Sequence, residues 1–213
     1  MIENSKPSWT GPKQRAKEES MNAILSAAAK VLSRHGYAGT TISRVAEAAG
    51  VSRGLLHYHF KNKEEMLAKV LRVNMEKNVD VAGTFLPDAP SAESFTDTLI
   101  SALRSLFEAN SEYLGLFLEG LTTARHSDVV RRELGDLYGS FRTALKERLG
   151  EMERTGIISP AISPDGLAAL ITGMLDGMGI QLVTIPGFAD DEMHWRYLRA
   201  GIVALLTADR GSG

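Results

Sequence analysis

The chain has 213 residues, 44% of them hydrophobic and 23% charged, a globular balance with enough length for one or two domains around a buried core. It contains no cysteine, which excludes a disulfide scaffold, cysteine-ligated zinc, iron–sulfur clusters and a thiol redox sensor. The formal net charge is −2, yet residues 1–63 hold ten Lys/Arg against four Asp/Glu while the remainder holds fourteen against twenty-two; a basic front on an acidic body points one end toward a polyanion.

Residues 1–13 are polar and lack the apolar stretch of a signal peptide, so they read as a disordered tail on a cytoplasmic protein. Helical spacing then takes over: Met21, Ile24, Leu25, Ala28, Val31 and Leu32 share one face, and Gly36 is suited to end that helix. Thr40 and Thr41 offer an N-cap to a short helix with Ile42, Val45, Ala46 and Ala49 inward, stopped by Gly50. Ser52 caps a third helix, anchored by Leu56 and Phe60. Asn62 caps a fourth, with Met66, Leu67, Val70, Leu71 and Met75 on one stripe, running to about Gly83.

Leu86-Pro87-Asp88-Ala89-Pro90 breaks the chain. Beyond it lie a helix with Phe95, Leu99, Leu103, Leu106 and Phe107, the apolar segment Tyr113–Leu121, and a long helix from Val130 to Met152. Pro164 fits the first turn of the next helix, Pro186-Gly187 ends it, and a final helix runs from about Asp190 to Ala208. Strand-like alternation is missing, so the fold class is all-α with about nine helices. The stretch Gly166–Ile185 has the length of a bilayer span, but Asp176 sits at its centre and no basic or aromatic anchors flank it; a buried interface helix explains it better.

Two short helices joined at a tight glycine turn form a helix-turn-helix, an arrangement that brings the N-terminal residues of the second helix to base edges while the first braces the backbone. The second helix presents Arg53, Gly54, His57 and Tyr58. An arginine reads guanine bidentately, and a glycine lets the backbone approach the duplex. His59, Lys63 and Thr41 suit phosphate oxygens, with Lys63 adding an ammonium to the start of the fourth helix. Ser43 and Arg44 on the bracing helix complete this face. His57 and His59 do not make a metal pair, because i and i+2 point about 200° apart on a helix; no metal and no cofactor are expected.

Gly36-Tyr37, Thr40-Thr41-Ile42, Val45 to Ser52, Gly54 to Phe60 and Lys63-Glu64-Glu65-Met66-Leu67 together resemble the N-terminal module of the tetracycline-repressor (TetR) family. That resemblance implies a homodimeric, ligand-responsive transcription factor, most often a repressor. It places Thr41, Ser52, Arg53, Gly54, His57, Tyr58 and Lys63 on the positions that meet DNA, with His57 standing where many members carry tyrosine. The corresponding division is a helix-turn-helix domain over residues 14–66 and an effector-binding and dimerisation domain over residues 67–213.

Ser163-Pro164-Asp165 through Asp176-Gly177 and the last helix are similar to the dimerising helices of that family, of its betaine-regulator type. Leu170, Gly173 and Gly177 on one helix and Leu198, Ile202, Leu205 and Leu206 on the next would bury as a four-helix bundle between two copies. Phe107, Tyr113, Phe117, Tyr138, Phe141, Met174 and Met178 are candidates to line an effector cavity, with Arg125, His126 and Asp176 as polar handles, since methionines and aromatics adapt to irregular ligands. The fourth helix would act as a lever between that cavity and DNA. The expected partners are an inverted-repeat DNA operator, a small-molecule effector that releases it, and a second copy of the chain. Competing classes are a helical protein-interaction adaptor and a small-molecule enzyme. Nothing resembling a phosphate loop, a nucleophile elbow or a zinc-protease motif occurs, so no enzyme is expected.

Overall fold

A computed structural model describes the backbone of residues 12–85, 89–109 and 111–208, and the side chains of residues 19–74, 89–105 and 115–208. Nine α-helices and no strand occur among the described residues. In chain order they are α1 (Pro12–Gly39), α2 (Ile42–Ala49), α3 (Arg53–His59), α4 (Lys63–Phe85), α5 (Ala92–Ala109), α6 (Ser111–Ala124), α7 (Asp128–Arg154), α8 (Pro164–Thr184) and α9 (Glu192–Thr207), with a short 3-10 turn at Phe188–Asp190 before the last. Residues 1–11, most of the expected tail, lie outside the described set, as does the breaker's Leu86-Pro87-Asp88; α1 already opens at Pro12.

Local chemistry sets the helix ends. Thr41, Ser52, Ser127 and Ser163 each accept a backbone N–H three residues on, and Asn62 does the same for Glu65 at 2.8 Å. Each bond satisfies a donor that the first turn would otherwise leave unpaired. Gly50 closes α2 at φ 66°, a left-handed position that glycine takes without a Cβ clash, and its N–H returns to the end of the helix.

The core forms two clusters. The first gathers Ile24, Ala28 and Leu32 of α1, Val45 and Ala46 of α2, Leu56 and Phe60 around α3, and Met66, Leu67 and Leu71 of α4. It continues into Leu116 of α6 and Val130, Leu134 and Leu137 of α7. Packing therefore runs straight across residue 66 and seats the helix-turn-helix on the helical body. The second cluster joins Phe95 and Leu99 of α5, Leu145, Leu149 and Met152 of α7, Leu167, Ile171, Met178 and Leu182 of α8, and Trp195, Leu198, Ile202 and Leu206 of α9.

That second cluster corrects one expectation. Ile202 and Leu206 are fully buried within the chain, Leu198 is 8% exposed, and Leu205 packs against the same cluster. The apolar stripe of α9 faces α5 and α8 of its own chain, so Leu198, Ile202 and Leu206 are core rather than dimer face, while Leu205 is half-buried at its edge. Leu170 remains half exposed, and a Cβ at Gly173 or Gly177 would meet nothing within 4 Å. Helix α8 is long and apolar enough to cross a membrane, but one of its faces lies in the second cluster. Its other face is the open one.

Candidate nucleic-acid interface

Helix α3 is seven residues long and held from below by Leu56 and Phe60, which are 0% and 1% exposed. With those two turned inward, the helical period turns Arg53, Gly54, His57 and Tyr58 outward, and all four are exposed, Tyr58 at 73%. Ser52 at the N-cap and Thr41 at the start of α2 are exposed beside them, each holding a first-turn N–H with its hydroxyl at 3.2 Å. The protein thus presents a short, rigidly seated helix with a guanidinium, an imidazole, a phenol and a bare backbone position on one side.

The other four expected contacts are placed differently. Arg44 is exposed but turns its guanidinium back to the Gly39 carbonyl, bracing α2 against the end of α1. Ser43 is half-buried. His59 is half-buried too, with its ring between Tyr58 and Phe60 at centroid distances of 5.1 and 6.4 Å. Lys63 departs most from expectation: its ammonium donates to the Tyr37 carbonyl at 2.7 Å and lies 4.0 Å from the Tyr37 ring centroid, a cation–π placement. At the start of α4, Asn62 takes the Glu65 N–H, and the Glu65 carboxylate reaches back to the Lys61 N–H ahead of the helix, each at 2.8 Å.

The described candidate effector residues fall into two groups, one around Tyr138 and Asp176 and one at Arg125 and His126. Phe107 and Tyr113 have side chains outside the described set. Phe117 and Tyr138 face each other with ring centroids 6.0 Å apart, and the Tyr138 hydroxyl donates to Asp176 Oδ2 at 2.9 Å. Met178 is buried in the second core cluster, and Phe141 and Met174 pack against it, partly buried. On α7, Tyr138 lies between Leu137 of the first cluster and Phe141 of the second, so the Tyr138–Asp176 pair sits where the two cores meet. Burial pushes the Asp176 carboxyl up, and the Tyr138 hydrogen bond opposes only part of that rise. Arg125 and His126 are elsewhere. They are exposed in the turn after α6 and line a cleft of about 360 Å³ shared with Tyr37, Glu64, Glu119 and Ser127. Sequence reasoning missed Glu64, Glu119 and Ser127 as a group; only Ser127, a cap residue ahead of α7, carries a local signal.

A capped helix pair with an outward polar face, seated on a larger helical body, defines a DNA-binding regulator of the helix-turn-helix class. Residues 24–70 match the bacterial regulatory proteins of the tetR family, and residues 95–207 match the C-terminal domain of BetI-type transcriptional repressors. The chain belongs to the tetR family, with a BetI-type C-terminal domain, and is a transcriptional regulator. It is 27% identical over 160 residues to the HTH-type transcriptional repressor AcnR of Corynebacterium jeikeium, covering 73% of this chain and 77% of that one. Its fold is similar to that of a transcriptional regulator from Rhodococcus sp. Rha1, with a TM-score of 0.76 at 22% identity, covering 90% of this chain and 98% of the other. It is also similar to a putative transcriptional regulator from Saccharomonospora viridis solved in complex with choline, with a TM-score of 0.74 at 24% identity, covering 87% and 96%.

Proposed function

We propose that the protein is a cytoplasmic repressor that binds an inverted-repeat operator as a homodimer and is released by a small-molecule effector. The outward set Arg53, Gly54, His57 and Tyr58 on a helix anchored by Leu56 and Phe60 carries the DNA reading. Arg53 supplies base recognition in the major groove, Gly54 allows close approach, and Thr41, Ser52 and Tyr58 supply hydroxyls to phosphates. His57 stands beside Arg53 on the same face and contacts a base or its phosphate.

The dimer reading rests on the open face of α8. Leu170, Ile180 and Val183 are 50%, 43% and 42% exposed, with Gly173 and Gly177 leaving room for a close helix, and Met193 and Tyr197 of α9 add 38% and 66% exposed apolar surface. An apolar area of this kind on a soluble protein marks an interface. A two-fold axis through it would place two α3 helices on one duplex, which requires a symmetric operator.

The effector reading rests on the Asp176–Tyr138 pair, a polar group kept where two apolar clusters meet. The choline complex of the Saccharomonospora viridis protein supports a ligand-binding use of such a helical body without specifying the ligand here. Helix α4 is fastened to α7 by a bidentate Arg72–Glu133 pair at 2.6 and 2.7 Å, so a ligand that displaces α7 beside Tyr138 displaces α4 with it. Selection of bound duplexes from random DNA by the full-length protein tests the core of this reading. An inverted repeat should emerge, and recovery of no preferred sequence would refute it.

A further inference from the structure

Where the helix-turn-helix meets the helical body, each side offers the other a carboxylate. Glu119 of α6 accepts the Tyr37 backbone N–H at 3.1 Å, and Glu64 in the first turn of α4 accepts the Ser127 hydroxyl at 2.6 Å. The two bonds cross one seam in opposite directions, between residues 82 and 63 apart in sequence. Ser127 is 3% exposed, and its oxygen also accepts the Val130 N–H at 3.4 Å as the cap of α7, so this hydroxyl is used as donor and acceptor. The Tyr37 backbone is held at both of its polar groups, its N–H donating to Glu119 and its carbonyl accepting from Lys63.

Gly36 is built for this contact. Its φ of 63° favours glycine, and a Cβ there would lie 2.9 Å from Glu119 Oε1. The Gly36 carbonyl in turn accepts the Thr40 hydroxyl at 2.7 Å, with Thr40 only 1% exposed, and the next residue caps α2. The clasp therefore holds both chain segments that flank the helix-turn-helix: the turn entering α2 and the first turn of α4 that follows α3. Neither carboxylate lies on the outward face of α3.

We propose that Glu64 and Glu119 are positioning residues for operator binding, setting the angle of the helix-turn-helix on the body so that both recognition helices of a dimer meet their half-sites together. The inference rests on the operator reading above and adds to it a determinant that touches no DNA. Because the groove spacing of the duplex is fixed, a small rotation at the seam spoils the simultaneous fit of two α3 helices and leaves each single fit intact.

The test uses the full-length protein, a duplex carrying both half-sites of the sequence selected from random DNA, and a second duplex carrying one half-site, with binding read by fluorescence anisotropy. Glu119→Ala and Ser127→Ala should each weaken the two-site duplex by about tenfold and change the one-site duplex by less than about twofold. Glu119→Gln keeps a carbonyl acceptor for the Tyr37 N–H and should restore two-site binding to within about twofold of the parent. The double variant Glu64→Ala/Ser127→Ala should be no weaker than the worse single variant, as for two members of one contact. If an alanine variant fails to fold, Glu119→Asp, which keeps the charge but loses reach, makes the same comparison. Equal losses on both duplexes would show a contact that only stabilises the fold, and unchanged two-site binding would show no coupling; either result overturns the proposal. A parent protein that selects no sequence would instead refute the operator reading itself.

Discussion

Ile202 and Leu170 are both apolar residues on the C-terminal helix pair, and their periodicity gives no means of telling core from interface. Ile202 is 0% exposed inside one chain and Leu170 is 50% exposed on α8. Ile202→Ala removes buried carbons from a closed cluster that includes Trp195, Leu198 and Leu206, so it should cost about 2–5 kcal/mol. In a chain of this size about 1 kcal/mol moves the midpoint by roughly 2–4 °C, which sets the expected drop at about 4–20 °C. Thermal unfolding at two protein concentrations tenfold apart should show that same drop at both. Leu170→Glu leaves the protomer core intact and should alter its stability by no more than about 0.5 kcal/mol, yet in a two-fold dimer it places two carboxylates on the α8 seam. Light scattering should then report a shift toward monomer mass, and the midpoint should depend more steeply on concentration. The assignment would be wrong if Ile202→Ala produced monomers with an unchanged midpoint, or if Leu170→Glu left the mass of a dimer intact.

Three further outcomes are expected. Arg53→Ala should relax sequence preference by about 1–3 kcal/mol at one base pair per half-site; affinity measured across single-base variants of the selected duplex checks it, with a uniform loss at every position counting against base recognition. The Asp176 carboxyl is raised by burial, so the folded state holds that proton more tightly than the unfolded chain does. Its contribution to stability is present at acid pH, below the ordinary value of 3.8, and is lost as pH rises through the raised folded value. Asp176→Asn, which keeps an acceptor for Tyr138, should therefore gain stability over the parent as pH rises toward neutrality, and parallel melting curves across pH would contradict it. Linkage requires that any small molecule that weakens operator binding be weakened by operator to the same extent, typically about 5–150-fold; calorimetric titration of a ligand found by thermal-shift screening, with and without operator, measures both sides.

Local chemistry made much of this protein legible in its sequence. The caps Thr41, Ser52 and Asn62, the stop at Gly50 and the inward pair Leu56 and Phe60 act within one or two turns of chain, so residue order alone determines α2, α3 and the outward face of Arg53, Gly54, His57 and Tyr58. The same periodicity marks one stripe of α9 as apolar but cannot say what covers it, because a helix face looks alike whether its partner is α5 of the same chain or a second copy. Tertiary structure decided that Leu198, Ile202 and Leu206 are core while the Leu170 face of α8 is open. It also separated Arg125 and His126 from Asp176 and turned Lys63 onto Tyr37. The Glu64–Ser127 and Glu119–Tyr37 contacts left no trace in the sequence, because each joins residues more than sixty positions apart, and such pairings exist only once the helices have packed.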